Sequence, residues 1–204
     1  ASRRIKEIYG LETKVVFPFV DLERFKVETF DGGYFVIISR LNKYKKVDLA
    51  VKACLNLSLP LKVIGSGPEM EKLMGLLRGV YTEGRQRTRN DIQLLGNLED
   101  DLVVHVLAGA RALIIPGIED FGLTSLEAQA LGKPVIAYSK GGALETAVEG
   151  KTGEFFSEQS VDSLMSILKN FDPQKFNSEI CRVNARRFDK VTFIKNFKQT
   201  VASL

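Results

Sequence analysis

The sequence predicts an open α/β domain, in which a parallel β-sheet of about six strands carries helices on both faces. From residue 34 onward, short apolar segments rich in β-branched residues alternate with segments of about ten residues that have helical periodicity. The strand-like segments, such as YFVIIS and ALIIP, are apolar at nearly every position, which is typical of strands buried on both faces. Strands of this kind that alternate with helices form parallel sheets through right-handed crossovers.

The predicted elements follow one another at regular intervals. In chain order the strands are YFVIIS, LKVIG, DIQLLG, RALIIP, KPVIAYS and TGEFF, and the helices between them are VDLAVKACLNL, PEMEKLMGLLR, DDLVVHVLAGA, LTSLEAQALG and GALETAVEG. Pro68 favours a helix start, because its missing N–H costs nothing in a first turn. Gly132 favours a helix end, so the fourth helix is predicted over 123–131. Helices are predicted from the last strand to the end of the chain.

The first 30 residues do not follow this alternation. Residues 1–12 predict a short helix with Ile5 and Ile8 on its apolar side, and residues 14–21 predict a strand or a linker interrupted by Pro18. We therefore divide the chain into an interdomain connection, residues 1–30, and one domain, residues 31–204, that includes the C-terminal helices.

Composition excludes several classes of protein. The chain has 204 residues, of which 45% are apolar and 26% charged, as in ordinary soluble globular proteins. No apolar run approaches the ~18 residues that cross a bilayer. Cys54 and Cys181 fit no disulfide scaffold or metal-ligand spacing, so a reduced, cytoplasmic protein is expected. The single histidine, His105, leaves little scope for zinc sites or histidine-activated nucleophiles.

The charge of the chain indicates an anionic partner, but not nucleic acid. The net charge is only +4, and aromatic residues do not interleave with the basic ones as single-strand binding requires. Arginines gather in one polar segment, at Arg78, Arg85, Arg87 and Arg89. We interpret that segment as a solvated surface loop.

Two basic residues follow the first predicted strand. Ligands of open parallel sheets bind at the carboxyl ends of the strands, and Arg40 and Lys45 lie there, before the helix that begins near Val47. A guanidinium and an ammonium at this edge suit a diphosphate, because charge-assisted hydrogen bonds are strong and a helix start adds backbone donors. The alternative is a pair of surface cations, which the dipole of the following helix would not favour.

The turn VIGSGPEME is a weaker candidate. Gly65 and Gly67 resemble the start of a dinucleotide-binding fingerprint, but Met70 occupies the third glycine position and no acidic residue closes a second strand about 20 residues further on. A tight strand-to-helix turn accounts for the same residues almost as well.

The segment 114–142 carries the strongest pattern. A buried strand ends at Pro116, and a polar loop with Glu119 and Asp120 leads into the helix predicted from Leu123. The amides at the start of that helix, those of residues 122–124, would offer donors to an anion or to sugar hydroxyls. Two carboxylates, Glu119 and Glu127, can bracket a ligand that is both polyhydroxylated and phosphorylated. A helix-capping role for Asp120 is the alternative, but it does not explain Glu127, which has apolar neighbours in the sequence.

The segment EDFGLTSLE resembles the E-x7-E motif of retaining, nucleotide-sugar-dependent glycosyltransferases of family 4, which have the GT-B fold. Further stretches resemble the C-terminal, donor-binding half of that family, so the resemblance covers about 34–171: SRL with DLAVKA, IGSGPE, LLGNL, EAQALGKPVIAYSKGGALETA and TGEFF. It implies that the domain is one half of a GT-B fold, with a Rossmann-like sheet. The stretches YKKVDLAVKA and GGALETAVEGKTGEFF most resemble mannosyltransferases of the WbaZ type, which use GDP-mannose.

The resemblance implies a role for each matching residue. By position, the residues implied to bind the donor diphosphate are Arg40, Lys45, Leu123 and Thr124, and those implied to bind the transferred sugar are Glu119, Phe121, Gly122 and Leu123. Glu127 is implied to bind the ribose, and Gly96, Asn97 and Leu98 are implied to bind the base. Glu119 is the residue implied for catalysis. Two positions depart from the family: Ser39 stands where a glycine is common before the arginine, and Lys46 where a glycine is common after the lysine.

The implied reaction is the transfer of a hexose, mannose from GDP-mannose, to an acceptor hydroxyl in polysaccharide or glycolipid synthesis. It needs no metal and no cofactor beyond the nucleotide-sugar donor, and the sequence has no DxD motif. GT-B enzymes bind the acceptor mainly through a second, N-terminal domain, so this chain is expected to be inactive alone. The glycan or lipid-linked acceptor, and any association with the cytosolic face of a membrane, would depend on that missing domain.

Three alternatives stay open. A non-catalytic nucleotide-binding or regulatory module would share Arg40, Lys45 and Glu127 but would have no use for Glu119. A glucosyltransferase with UDP- or ADP-glucose would use the same positions. A glycoside hydrolase also needs two carboxylates. However, a helix starts between Glu119 and Glu127, which suits two residues that hold a ligand from different sides better than a catalytic pair.

Overall fold

The sheet is parallel throughout. The computed structural model describes residues 2–80 and 92–203. The six strands of this part of the chain are β1 (Tyr34–Ile38), β2 (Leu61–Ile64), β3 (Ile92–Gly96), β4 (Ala110–Ile115), β5 (Val135–Tyr138) and β6 (Gly153–Phe156). They lie in the order β3-β2-β1-β4-β5-β6, with every pair parallel. The predicted open α/β sheet of about six strands is confirmed.

Helices connect the strands and follow the last of them. They are α1 (Ser2–Tyr9), α2 (Val47–Leu57), α3 (Met70–Val80), α4 (Asp100–Ala108), α5 (Leu123–Ala130), α6 (Ala143–Thr146), α7 (Val161–Asn170), α8 (Ser178–Arg186) and α9 (Lys190–Ala202). Short 3-10 turns cover Leu22–Phe25, Lys43–Lys45 and Pro173–Lys175. Within the described part of the chain, none of the helices is long and apolar enough to cross a bilayer.

Both faces of the sheet are buried, as the all-apolar strands predict. In β1, Phe35 and Ile37 belong to the core on one face and Val36 to the core on the other. Neighbouring residues of a strand point to opposite faces, so a strand covered on both sides must be apolar at every position. Each of the three residues is at most 1% exposed.

The strand order reverses at the centre of the sheet. The first three strands run outward from β1 on one side, and β4, β5 and β6 follow on its other side. Phe35 accordingly has Leu61 of β2 as one partner and Ala112 of β4 as the other. At such a switch point the loops after neighbouring strands diverge to opposite faces and leave a crevice at the carboxyl edge. The segments predicted to bind a ligand leave the sheet at this edge.

Several helix boundaries differ from the sequence-based expectation. Helix α5 ends at Ala130 instead of 131, and Gly132 follows it with φ +73. Helix α3 begins at Met70 because residues 67–69 form a turn, so Pro68 lies before the helix and not at its first position. The predicted helix GALETAVEG shortens to the single turn α6, because the amides of Lys151 and Thr152 bond to the carbonyl of Val148 and form a turn there.

The N-terminal segment packs beside the C-terminal helices. The predicted helix over 1–12 is confirmed as α1, and residues 14–21 form no strand beyond one bridge between Val20 and Asp189. Phe17 stacks on Phe121 with ring centroids 5.4 Å apart, and Phe19 lies 5.3 Å from Phe193. No residue of α9 is buried within the described chain. Of the basic segment interpreted as a surface loop, Arg78 is exposed, and Arg85, Arg87 and Arg89 lie outside the described residues.

Candidate functional site

Lys45 and Glu119 form an ion pair where the loops after β1 and β4 meet. Lys45 ends the turn Lys43–Lys45, and its Nζ lies 2.6 Å from Oε2 of Glu119. The two side chains are only 14% and 20% exposed. Gly117 permits the approach, because a Cβ at that position would lie 2.6 Å from Cα of Lys45. The structure thus brings together two residues that the resemblance assigned to different parts of a donor.

The loop that carries Glu119 is held by two glycines that the sequence analysis did not single out. Glu119 forms a parallel bridge with Gly141, and the amide of Gly142 donates to the carbonyl of Glu119 at 2.8 Å. A Cβ on Gly142 would collide with the backbone of Phe121, and Gly141 has φ +76. The adjacent glycines after the strand segment KPVIAYS were the available signal, since paired glycines often mark a close backbone approach.

Helix α5 begins without a side-chain cap. Its N-cap is Gly122, with φ +95, and Asp120 is exposed and does not cap the helix, so the capping alternative for that residue is wrong. The amides of Leu123 and Thr124 have no acceptor among the described residues. They are free donors at the positive end of the helix dipole, as the sequence predicted.

A cleft of about 530 Å³ opens at the carboxyl edge of the sheet. Its walls come from the segments after three strands and from the start of α5: Ile38, Ser39, Arg40, Ile64, Gly65, Ser66, Asn97, Leu98 and Thr124. Four predicted site residues therefore share one cavity, and they are Arg40, Asn97, Leu98 and Thr124. Arg40 is exposed, and its guanidinium has no partner among the described residues. The cleft offers a cation, backbone donors and apolar side chains within one space.

The glycines of the turn after β2 have a structural reason. A Cβ at Gly65, where φ is +127, would collide with the carbonyl of Ser39, and one at Gly67 would lie 2.7 Å from the carbonyl of Leu41. Gly65 also donates its amide to the carbonyl of Gly96 at 2.7 Å. The turn therefore joins the loops after β1, β2 and β3 into one wall of the cleft, which favours the tight-turn interpretation over a dinucleotide fingerprint.

Glu127 lies one turn after Thr124 on α5, and residues three apart share a helix face. Burial raises the pKa of its carboxyl group; the nearby Arg24 lowers it and Asp100 raises it further. Arg24 itself forms an ion pair with Asp100 at 2.7 Å. The Glu127 carboxylate accepts no hydrogen bond from a described residue. An unpaired, mostly buried carboxyl group is costly, so a ligand that donates to it would relieve that cost.

A second, larger depression lies beside the Lys45–Glu119 pair, because residues adjacent in sequence to Lys45 and to Glu119 line it. It has a volume of about 910 Å³ and is lined by Asn42, Lys43, Tyr44, Lys46, Pro68, Ile118, Asp120 and Gln159. Lys46 adopts the left-handed conformation, with φ +54, and is the N-cap of α2. That is the position where the sequence departs from the family's glycine, and the departure leaves the glycine-like backbone in place.

Neither the histidine nor the cysteines belong to the site. The ring of His105 lies 5.4 Å from that of Phe30, at the opposite end of α4 from the cleft residues 97 and 98. Cys54 and Cys181 are buried and unpaired. Burial raises the pKa of Cys54 to about 12 and that of Cys181 to about 11, so both thiols stay protonated at neutral pH.

Residues 20–175 match the family described as Glycosyl transferases group 1. The curated relatives include the alpha-1,3/1,6-mannosyltransferase ALG2 of Dictyostelium discoideum, 28% identical over 193 residues, which cover 85% of this chain and 46% of the relative. Glycogen synthase of Pseudomonas aeruginosa is 30% identical over 173 residues, which cover 80% of this chain and 32% of the enzyme. The chain thus spans less than half the length of these curated relatives.

Solved structures share the fold. Anabaena HepE, in complex with UDP and glucose, superposes with a TM-score of 0.76 at 24% identity over 95% of this chain and 57% of its own. Sucrose-phosphate synthase from Thermosynechococcus elongatus superposes with a TM-score of 0.80 at 19% identity, over 98% of this chain and 55% of its own. In each case the match covers little more than half of the neighbour.

Proposed function

The chain belongs to the Glycosyl transferases group 1 family, and on that premise we propose that it is the donor-binding half of a retaining glycosyltransferase that transfers a hexose to an acceptor hydroxyl. The observation that carries the proposal is the cleft at the switch point of the sheet, which joins Arg40, Thr124 and the 97–98 segment. The Lys45–Glu119 pair lies in the loops that follow the two central strands, β1 and β4. A cationic cleft beside a carboxylate that an ion pair holds in place suits a nucleotide diphosphate that carries a sugar.

The proposed orientation of the donor follows the chemistry along the cleft. The base lies against Gly96, Asn97 and Leu98, where backbone groups and an apolar side chain are available. The diphosphate lies between Arg40 and the free amides of Leu123 and Thr124, since a guanidinium and a helix start both favour phosphate. The ribose hydroxyls donate to Glu127, whose carboxyl group is largely buried and accepts no hydrogen bond from a described residue.

Lys45 and Glu119 act at the sugar end of the donor. An ammonium has three N–H donors, so Lys45 can hold Glu119 and a phosphate oxygen at the same time. Glu119 then accepts hydrogen bonds from hydroxyls of the transferred sugar, beside the backbone of Phe121 and Gly122. This interpretation keeps the diphosphate role of Lys45 and adds a second one, that of orienting Glu119.

The proposed chemistry is the departure of a nucleoside diphosphate. The anomeric carbon exchanges its bond to the phosphate oxygen for a bond to the acceptor oxygen, and the acceptor hydroxyl gives up its proton to the departing phosphate. The electron pair of the broken bond remains on the diphosphate, where negative charge develops. Arg40, Lys45 and the amides of α5 stabilise that charge more strongly in the transition state than in the ground state, which lowers the barrier. Glu119 pairs with a lysine, whereas Glu127 lies near an arginine–aspartate pair. These different surroundings favour two carboxylates that bind separate parts of one ligand over the paired catalytic carboxylates of a glycoside hydrolase.

We propose mannose from GDP-mannose as the transferred sugar and its donor. The support is the similarity to WbaZ-type mannosyltransferases and the relative ALG2, a mannosyltransferase by name. Glycogen synthases match equally well, and HepE was solved with UDP and glucose, so a glucosyltransferase with UDP- or ADP-glucose is the second candidate. The acceptor half, the glycan or lipid-linked acceptor, and a cytoplasmic location at a membrane face are part of the same proposal.

The proposal is tested by thermal unfolding and calorimetry of this chain with GDP, UDP, ADP, GDP-mannose and UDP-glucose. A ligand at 100 times its Kd stabilises the native state by about 2.7 kcal/mol, which gives a clear rise in Tm. We expect the rise with GDP and GDP-mannose, and its loss in Arg40→Ala. A rise with UDP and UDP-glucose alone would replace mannose by glucose, and no rise with any nucleotide would contradict donor binding by this chain.

A further inference from the structure

We propose that Thr146 is a positioning residue that holds the Glu119 loop and the start of α5 in register with each other. The proposal rests on the proposed function only where it connects Glu119 with the transferred sugar. Thr146 ends the single turn α6 and is fully buried. It contacts neither the cleft nor the Lys45–Glu119 pair, so any influence on a donor acts through other residues.

The hydroxyl of Thr146 lies at the junction of three backbone segments. It donates to the carbonyl of Gly142 at 3.2 Å, and the amide of Gly142 donates in turn to the carbonyl of Glu119 at 2.8 Å. A Cβ at Gly122, the N-cap of α5, would lie 3.2 Å from the same hydroxyl. A threonine hydroxyl commonly bonds to the carbonyl four residues before it. Here Gly142 connects the Thr146 hydroxyl with Glu119, because its carbonyl accepts from that hydroxyl and its amide donates to the carbonyl of Glu119.

The carbonyl of Thr146 anchors this junction to the rest of the domain. It accepts hydrogen bonds from Nε2 of Gln129 on α5 and from Nδ2 of Asn184 on α8, both at 2.8 Å. Nδ2 of Asn184 also donates to Oε1 of Gln129 at 2.6 Å, and Nε2 of Gln129 donates to the hydroxyl of Ser125 at 3.0 Å. All of these side chains are at most 6% exposed.

The consequence is a continuous chain of hydrogen bonds from α8 to Glu119. Buried, fully paired polar groups impose one geometry, because any alternative leaves a group unpaired in a low dielectric. The turn 141–146 therefore cannot move relative to α5 without breaking several of these bonds. Glu119 and the free amides of α5 are thus supported by one shared set of side chains, as precise binding of a ligand requires.

The test compares Thr146→Val with Thr146→Ser. Valine has nearly the shape of threonine but carries a methyl group in place of the hydroxyl, whereas serine keeps the hydroxyl and lacks the methyl group. The carbonyl of Gly142 retains the backbone amides of Glu145 and Thr146 as donors, so valine leaves it paired and the variant is expected to fold. For GDP with GDP-mannose and for UDP with UDP-glucose, calorimetry gives the ratio of the Kd of the diphosphate to that of the nucleotide sugar. We expect this ratio to fall by about fivefold in Thr146→Val, the size of one hydrogen bond, and to stay unchanged in Thr146→Ser.

A double-mutant cycle distinguishes positioning from a general loss of structure. In a Glu119→Ala background, Thr146→Val should no longer change the ratio, because the residue through which it acts is absent. Equal weakening of both ligands, or the same change of the ratio in the Glu119→Ala background, would overturn the proposal.

Hydrogen exchange tests the positioning without any ligand. Protection of the Gly142 amide should fall in Thr146→Val and not in Thr146→Ser, while the amides of β5 keep their protection. If no nucleotide binds to the parent chain but Gly142 behaves in this way, the proposed function fails and the positioning role stands. Unchanged protection of Gly142 in Thr146→Val would overturn the positioning role.

Discussion

The ammonium of Lys45 lies 2.6 Å from the carboxylate of Glu119, although 74 positions separate the two residues in the chain. The pair connects the loop after β1 with the loop after β4, the two strands at which the sheet order reverses. Because both side chains are largely shielded from water, each charge depends on the other for its compensation. The properties of the site therefore follow from the pair more than from either residue alone.

Breaking this pair should destabilise the chain. We expect Lys45→Ala to lower the free energy of unfolding by about 1.5–3 kcal/mol, because a hydrogen bond to a charged group is lost and Glu119 is left unpaired. The matched control is Lys26→Ala, which removes an exposed pair with Glu23 and should cost less than about 1 kcal/mol. Urea unfolding measures both. Equal effects of the two substitutions would contradict a buried role for the Lys45–Glu119 pair.

Removal of Arg40 should weaken nucleotide binding without a change in stability. Arg40 is exposed, so Arg40→Ala removes no hydrogen bond or ion pair with the part of the chain that the structure describes. We expect the affinity for a nucleoside diphosphate to fall by about 1.5–3 kcal/mol, the range for charge-assisted hydrogen bonds. Lys43→Ala, an exposed cation nearby that does not line the cleft, is the control for net charge. Unchanged affinity in calorimetry would remove Arg40 from the diphosphate site.

Glu119 should affect transfer more than nucleotide binding. In a protein that carries both halves, we expect Glu119→Ala to lower the rate of sugar transfer by about 100-fold, as for other groups that act on the transition state. The affinity for the nucleoside diphosphate should stay the same or rise, because Lys45 is then free to bind phosphate. Single-turnover kinetics and calorimetry measure the two quantities. A parallel loss of both would contradict the role of Glu119 at the sugar.

The raised pKa of Glu127 predicts a pH dependence of stability. Burial raises the pKa from its ordinary value near 4.5, so between that value and the raised one the native state binds more protons than the unfolded state. Stability then falls as the pH rises through this window. Glu127→Gln should remove that fall and raise stability at neutral pH. Thermal unfolding from pH 4 to 8 compares the two proteins, and parallel profiles would show that Glu127 does not titrate abnormally.

The same carboxyl group predicts a proton release on binding. If ribose hydroxyls donate to Glu127, the ligand favours the ionised form, and a proton leaves the protein when the nucleotide binds. Affinity should therefore increase in the parent chain as the pH rises from the ordinary value near 4.5 through the raised pKa of Glu127, and it should stay flat in Glu127→Gln. Calorimetry in buffers of different ionisation enthalpy measures the proton. A pH-independent affinity in the parent chain would contradict the ribose contact.

Gly117→Ala should separate the two loops that form the ion pair. The added Cβ would lie 2.6 Å from backbone atoms of Lys45, so the backbone must shift, at an expected cost of about 1–3 kcal/mol. Gly75→Ala is the control: Gly75 is exposed on helix α3 with open space at its Cβ, and alanine there should stabilise by about 0.4–1 kcal/mol. In urea unfolding, we expect Gly117→Ala to lower the free energy of unfolding and Gly75→Ala to raise it. A stabilising Gly117→Ala would contradict the close approach of the two loops.

Much of the fold could be predicted from the sequence because its signals are local. The all-apolar strands, the helical periodicity between them and the glycine after α5 need no knowledge of distant residues. Four of the predicted site residues, Arg40, Asn97, Leu98 and Thr124, also lie in one cleft, since strand ends in a parallel sheet share one edge. The helix GALETAVEG was predicted too long, because a turn through Val148 and Thr152 follows its first turn and helical periodicity does not report such hydrogen bonds.

The sequence by itself determined the class of sheet, the family and the positions at which the candidate site residues follow the strands. Only the tertiary structure decided which of those groups meet: that Lys45 pairs with Glu119, that Gly141 and Gly142 hold the Glu119 loop, and that Gln129 and Asn184 converge on Thr146. The physical reason is that secondary structure follows from neighbours along the chain. Charge pairs and buried polar networks instead depend on distances between segments, and these exist only once the sheet has formed.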